Sequence, residues 1–81
     1  PVFLFEQMEL RERLDESAND IGALDALLLD VKKTIRDYEE YFATAWRAKD
    51  WPRAQLMVDK LQFACKLAQE IDDRQARLLD D

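Results

Sequence analysis

The 81-residue chain contains no histidine, one cysteine, one glycine and two prolines. Each shortage excludes something. Without histidine, the commonest general base, nucleophile partner and metal ligand are missing together, and the Glu-x-x-His pairs of carboxylate di-metal bundles cannot form. With Cys65 alone there is no internal disulfide and no donor set for a zinc or iron–sulfur site. So few glycines and prolines cannot turn a sandwich or barrel of many short strands, and no glycine-rich phosphate loop is present. Long apolar runs are also missing: none approaches the length of a membrane span, and no signal-peptide pattern is seen. Basic charge is in the minority. A formal net charge of −6 argues against nucleic acid, which demands a basic footprint, and Lys32, Lys33 and Arg36 read as a solvated helix flank.

What is present is helical material. With 48% hydrophobic and 37% charged residues, the chain is too apolar for disorder. Its dominant types (Ala, Leu, Glu, Asp, Lys, Arg and Gln) are those of long packed helices. The class is all-α. Residues 1–81 form one small domain, of a size at which a single core is marginal and regular architecture is favoured. Because it begins at Pro1 rather than Met, a processed chain or a fragment is expected.

Periodicity divides the chain in three. The first helix runs from about Val2 to Ser17. SAND then interrupts the pattern, with Asn19 or Asp20 as its N-cap. In the second helix Ile21, Leu24, Leu28, Val31, Ile35, Tyr38, Phe42 and Ala45 recur at alternating steps of three and four, the seam of a left-handed bundle; Leu27 and Tyr41 widen it. At 1.5 Å per residue this helix would be about 40 Å long. The chain turns at AKDWPR, where Asp50 suits an N-cap and Pro52 the first turn. The third helix repeats the seam at Ala54, Met57, Leu61, Ala64, Ala68, Ile71 and Leu78, with Gln75 its one polar position. Cys65 beside it is expected to pack as a small hydrophobe. Two short connections make the helices antiparallel neighbours. The expected fold is an elongated up-down-up antiparallel three-helix bundle.

No constellation carries chemistry. Glu39–Glu40 and Asp72–Asp73 are adjacent, so they diverge on a helix and read as surface. The small all-helical enzymes of the intertwined chorismate mutase type direct arginines into the bundle, whereas Arg11, Arg36, Arg47, Arg53 and Arg74 all lie off the apolar seams. Convergent polar groups in an apolar pocket are absent. The chain is read as a non-enzyme, with no cofactor and no metal.

The opening stretch, FLFEQMELRERLDE, is unusual. At about 100° per residue, Phe3, Leu10 and Leu14 share one face. Leu4, Phe5 and Met8 fall on roughly the opposite face, with Glu9, Glu12 and Glu16 beside and below them. A bundle helix needs one apolar face, and adjacent exposed apolar residues mark interaction sites. On the third helix Phe63 lies about 200° round from Leu61, off the seam and near Leu56 and Leu67, where either core widening or an interface is open to it.

FLFEQMELRERLDE, with VKKTIRDYEEYF and DKLQFACKL further on, resembles the C-terminal domain of HscB, the J-type co-chaperone of iron–sulfur cluster assembly. The resemblance covers essentially the whole chain. It is most specific in the opening helix, where the family pattern is close to FLMEQLELREELDE. It implies a three-helix bundle that binds the iron–sulfur scaffold protein IscU and presents it to the chaperone HscA. It further implies that Leu4, Phe5, Met8, Glu9, Glu12 and Glu16, with Phe63 of KLQF, form the scaffold-binding surface. Phe5 stands for the usual methionine and Met8 for the usual leucine, both apolar replacements. The family's J domain carries a His-Pro-Asp motif, and a chain without histidine cannot contain it, so contact with HscA would run through a domain absent here. A self-associating bundle that buries the same patch against a second copy, or a generic helical adaptor, are the alternatives. Bacterial cytoplasm is expected over mitochondrial matrix. Leu4→Ala and Phe63→Ala are expected to weaken binding without lowering the melting temperature, and Leu28→Ala to destabilise the core.

Overall fold

Two aspartates and one lysine punctuate the chain. Asp20, extended at φ −125° and ψ 105°, accepts a hydrogen bond from the Ala23 N–H at 3.1 Å. Asp50 accepts one from the Arg53 N–H at 3.3 Å. Each satisfies a first-turn donor that has no helical partner. Between the two long helices Lys49 adopts a left-handed φ of 57°. Its N–H donates to the Trp46 carbonyl, and the Asp50 N–H donates to the Ala45 carbonyl, the reverse-turn closure that normally uses glycine. The computed structural model, which describes residues 2–80, accordingly contains α1 (Val2–Glu16), α2 (Ile21–Arg47) and α3 (Trp51–Asp80). Pro1 lies outside the described residues.

Side-chain pairs fix the directions. Arg13 reaches Asp30 and Tyr38 reaches Glu6, so α1 runs antiparallel to α2. Arg11 meets Glu70, and Phe3 meets Phe63, so α1 runs parallel to α3. Asp25 near the start of α2 accepts a hydrogen bond from Gln75 near the end of α3, which gives the one polar seam position a partner. The bundle is all-α and up-down-up, with extents of 49 × 22 × 15 Å. At the α2–α3 turn Phe42, Trp46 and Trp51 form a chain of rings at 5.8 and 5.0 Å, with both tryptophans exposed.

The core keeps Leu24, Val31, Ala45, Ala54, Met57, Ala64 and Ile71 of the expected seams and shifts only at Leu28 and Ala68. Its buried cluster is Leu14, Leu24, Leu27, Val31, Leu67 and Ile71. Leu27 is 0% exposed and widens the seam as expected, whereas Leu67, also 0% exposed, is a core residue that periodicity made an off-seam neighbour of Phe63. Leu28, Ile35, Tyr38, Phe42, Leu61 and Ala68 are only partly buried. The cause is α1. Two paired helices centre their contact between the two seam positions, but α1 lies to one side and draws the core toward the residue just before each of Leu28 and Ala68. Tyr41 is 55% exposed and does not widen the core. Cys65 is exposed as well, not packed, because its side of α3 points away from both neighbours. No helix among the described residues is long and apolar enough to cross a membrane.

Candidate functional site

The first helix reaches the core through Leu14, which is buried, and through Phe3 and Leu10, which are partly buried. Its other large apolar side chains remain at least half exposed. Leu4 is 53%, Phe5 65% and Met8 51% exposed. The two-sided pattern of the opening stretch is thus one face for the bundle and one for solvent.

Four of the seven sequence-predicted positions come together. Leu4, Met8 and Glu12 from α1 and Phe63 from α3 line one open depression of about 410 Å³, with Gln7, Arg11 and Asp15 completing it. Periodicity overlooked the last two because they are charged, yet Leu4, Met8, Arg11 and Asp15 follow the i, i+4, i+7, i+11 spacing of a single helix stripe. Phe63 belongs to both core and surface. It packs against the buried cluster, meets Phe3 edge-to-face with centroids 6.1 Å apart and planes at 87°, and still borders the depression.

The other three positions lie elsewhere on α1. Glu9 lines a different depression, of about 430 Å³, on the α2 flank. Phe5 and Glu16 are exposed and line neither groove. In helical projection they fall on the crest between the two.

Ion pairs hold α1 against α3. Arg11 makes a two-pronged pair with Glu70, and Arg74 stands 3.9 Å from Asp15. These are solvent-facing, and each adds well under about 1 kcal/mol. The better-shielded contact is Lys60, whose ammonium lies 3.7 Å from Glu6 and 5.4 Å from the ring centroids of both Phe3 and Tyr38. It ties all three helices together near the start of α1. Tyr38 donates to Glu6 at 3.4 Å. Partial burial pushes its phenol pKa up, and the Glu6 carboxylate, followed by Asp37, adds to the rise. No group of three or more His, Cys, Asp or Glu among the described residues could hold a metal ion. The site offers open apolar surface bordered by acids, which suits docking.

The chain matches the model of the HSCB C-terminal oligomerisation domain over residues 1–72. It belongs to that family. A co-chaperone protein HscB homolog from Mannheimia succiniciproducens is 35% identical over 98% of this chain and 47% of its own length. One from Vibrio vulnificus is 39% identical over 89% of the chain and 44% of its own length. One from Acinetobacter baumannii is 35% identical over 98% and 45%. The chain therefore spans about half the length of the HscB homologs it matches. No solved structure matches it. Membership agrees with the resemblance carried by the opening helix and with the three-helix fold it implied.

Proposed function

We propose that this HscB-type domain is a non-catalytic docking module of a bacterial cytoplasmic co-chaperone, and that it binds an iron–sulfur scaffold protein of the IscU type. The observation that carries the reading is the α1/α3 groove. Leu4 and Met8 stand half exposed beside Phe63, on the stretch of sequence closest to the family pattern. In this reading Leu4, Phe5, Met8 and Phe63 are the apolar anchors, and Glu9, Glu12 and Glu16 select basic partners. Residues 1–81 act as one domain, and a J domain supplied by the longer protein hands the scaffold to an HscA-type chaperone.

Each apolar anchor gains about 1.5–3 kcal/mol if fully buried. Lost translational and rotational freedom and side-chain ordering offset much of the sum. The expected affinity is modest, suited to a partner that is passed on. The glutamates at the rim affect association rate and salt dependence more than depth of binding.

An amide NMR titration of the 81-residue chain with an IscU-type scaffold tests this directly. Perturbations gathered at Leu4, Phe5, Met8, Glu12 and Phe63 are expected. A well-folded scaffold that leaves all of them unmoved at high concentration would reject the reading. A second reading, self-association through the same apolar patch, is favoured by the oligomerisation role in the matched family's description. Sedimentation across a range of concentrations separates the two, because self-burial gives a dimer and a free docking face gives a monomer.

A further inference from the structure

The flank of α1 that faces α2 holds a groove of its own. Glu6, Glu9 and Arg13 line it from α1, and Asp37, Tyr38 and Tyr41 from α2. Arg13, the one basic residue among those lining it, is engaged: its Nη1 lies 2.7 Å from Asp30 Oδ2. Glu6 is already shared between Lys60 and the Tyr38 hydroxyl. Glu9 and Asp37 form no ion pair among the described residues, and Asp37 is partly buried. The groove is thus left negative, and the raised Tyr38 pKa, caused first by burial and then by Glu6 and Asp37, agrees with that. Tyr41, 55% exposed, adds an aromatic ring to the same wall.

Carboxylates beside an accessible tyrosine ring suit one kind of visitor. A lysine or arginine side chain would make a charge-assisted hydrogen bond to the acid and lay its cation against the ring. The negative wall disfavours an anion, and its carboxylates do not form a group that could hold a metal ion among the described residues.

The placement of the seven docking positions decides what brings that side chain. Leu4, Met8, Glu12 and Phe63 sit in the α1/α3 groove, Phe5 and Glu16 on the crest, and Glu9 in the α1/α2 groove. A surface that touches all of them must cross the helix. With side chains, an α-helix is only about 10–12 Å across, so one partner can reach both flanks.

We propose that the partner grips α1 as a ridge, sending apolar side chains into the α1/α3 groove and a lysine- or arginine-bearing segment into the α1/α2 groove, where Asp37 and Tyr41 determine specificity. This rests on the docking reading above and adds two residues of α2 to it.

The test is isothermal titration of an IscU-type scaffold into the 81-residue chain and into Leu4→Ala, Asp37→Asn and Tyr41→Ala, at low and moderate salt. Asp37→Asn and Tyr41→Ala should each weaken binding about 3- to 10-fold, as loss of one charge-assisted or cation–π contact would. Asp37→Asn should also flatten the salt dependence. Leu4→Ala should weaken binding about 10-fold and leave the salt dependence unchanged. Circular-dichroism melts accompany each variant. Should one of the two α2 variants fail to fold, the other carries the test alone. Wild-type affinity in Asp37→Asn and Tyr41→Ala alongside a weakened Leu4→Ala would overturn the ridge proposal and leave the docking reading intact. Wild-type affinity in Leu4→Ala, or no binding by the wild-type chain, would remove the docking reading and the ridge proposal with it.

Discussion

Phe3 and Phe63 meet edge-to-face, with centroids 6.1 Å apart, and together with Lys60 over the Phe3 ring this contact fastens the start of α1 to α3 directly beside the groove. The geometry suits the ring quadrupoles, and such a pair adds about 0.5–1.5 kcal/mol beyond its buried area. The surface that would dock a partner is therefore built on a side chain that also holds the bundle.

Leu4→Ala and Phe63→Ala should for that reason part company. Leu4 is half exposed, so its truncation should cost about 1–2 kcal/mol of binding and leave the melting temperature within error. Phe63 packs against the buried cluster. Its truncation should weaken binding and also destabilise the bundle by about 1.5–3 kcal/mol, below the 3–5 typical of a fully buried Phe. This replaces the expectation that neither variant melts early. Thermal melts beside binding isotherms decide it, and equal melting temperatures for the two variants would show that the Phe3–Phe63 contact carries no weight.

A second pair of variants tests where the core is centred. Leu27 is 0% exposed, while Leu28 is only partly buried. Leu27→Ala should cost about 3–5 kcal/mol, near the upper part of the range for buried leucines, and Leu28→Ala about 1–2 because solvent already reaches it. Chemical denaturation of both gives the comparison. A larger loss at Leu28 would put the core back on the α2–α3 seam.

That off-by-one marks the limit of what the sequence reveals. Helix number and direction were legible because Asp20, Asp50 and Pro52 start helices by local chemistry and because a three–four repeat needs no tertiary information. The outward face of α1 was legible for the same reason: Leu4, Phe5 and Met8 oppose Phe3, Leu10 and Leu14 on any helical wheel. Leu67, Tyr41 and Cys65 were misplaced because burial there depends on which side of the α2–α3 pair α1 occupies, and a repeat within one helix cannot record that. The division of the seven candidate positions between two grooves and a crest was hidden likewise. Glu9 and Glu12 differ by less than one turn, and only the neighbouring helix shows that they serve opposite flanks.

The turn at Lys49 offers a gain rather than a loss of stability. A left-handed conformation costs a residue with a Cβ about 1–2 kcal/mol, and Lys49 at φ 57° bears that cost in the closing turn of α2. Lys49→Gly should keep the hydrogen bonds from residues 49 and 50 to the Trp46 and Ala45 carbonyls and relieve the strain. Glycine's greater freedom in the unfolded chain takes back part of the gain. A net stabilisation of about 0.5–1 kcal/mol should raise the melting temperature by roughly 2–8 °C in a domain of this size. An unchanged or lower value would mean that the lysine side chain contributes more than its backbone loses.

Alkaline pH gives the last test, through Tyr38. Its phenol pKa lies above the ordinary value of 10.0 in the folded chain, because of burial first and then the Glu6 carboxylate, its hydrogen bond and Asp37. The folded state therefore keeps this proton at a pH where the unfolded chain has begun to release it. Stability falls with rising pH wherever the unfolded chain binds fewer protons. The contribution of Tyr38 is thus intact below about pH 10, the unfolded value, and is lost as pH climbs toward the raised folded value. Tyr38→Phe has no proton to lose. Stability of the two proteins, measured by urea denaturation from pH 8 to pH 11, should keep a constant difference at the lower end. Above about pH 10 the wild type should fall away faster than the variant. Parallel curves throughout would mean that Tyr38 is neither shielded from solvent nor held to Glu6 in solution as it is in this structure.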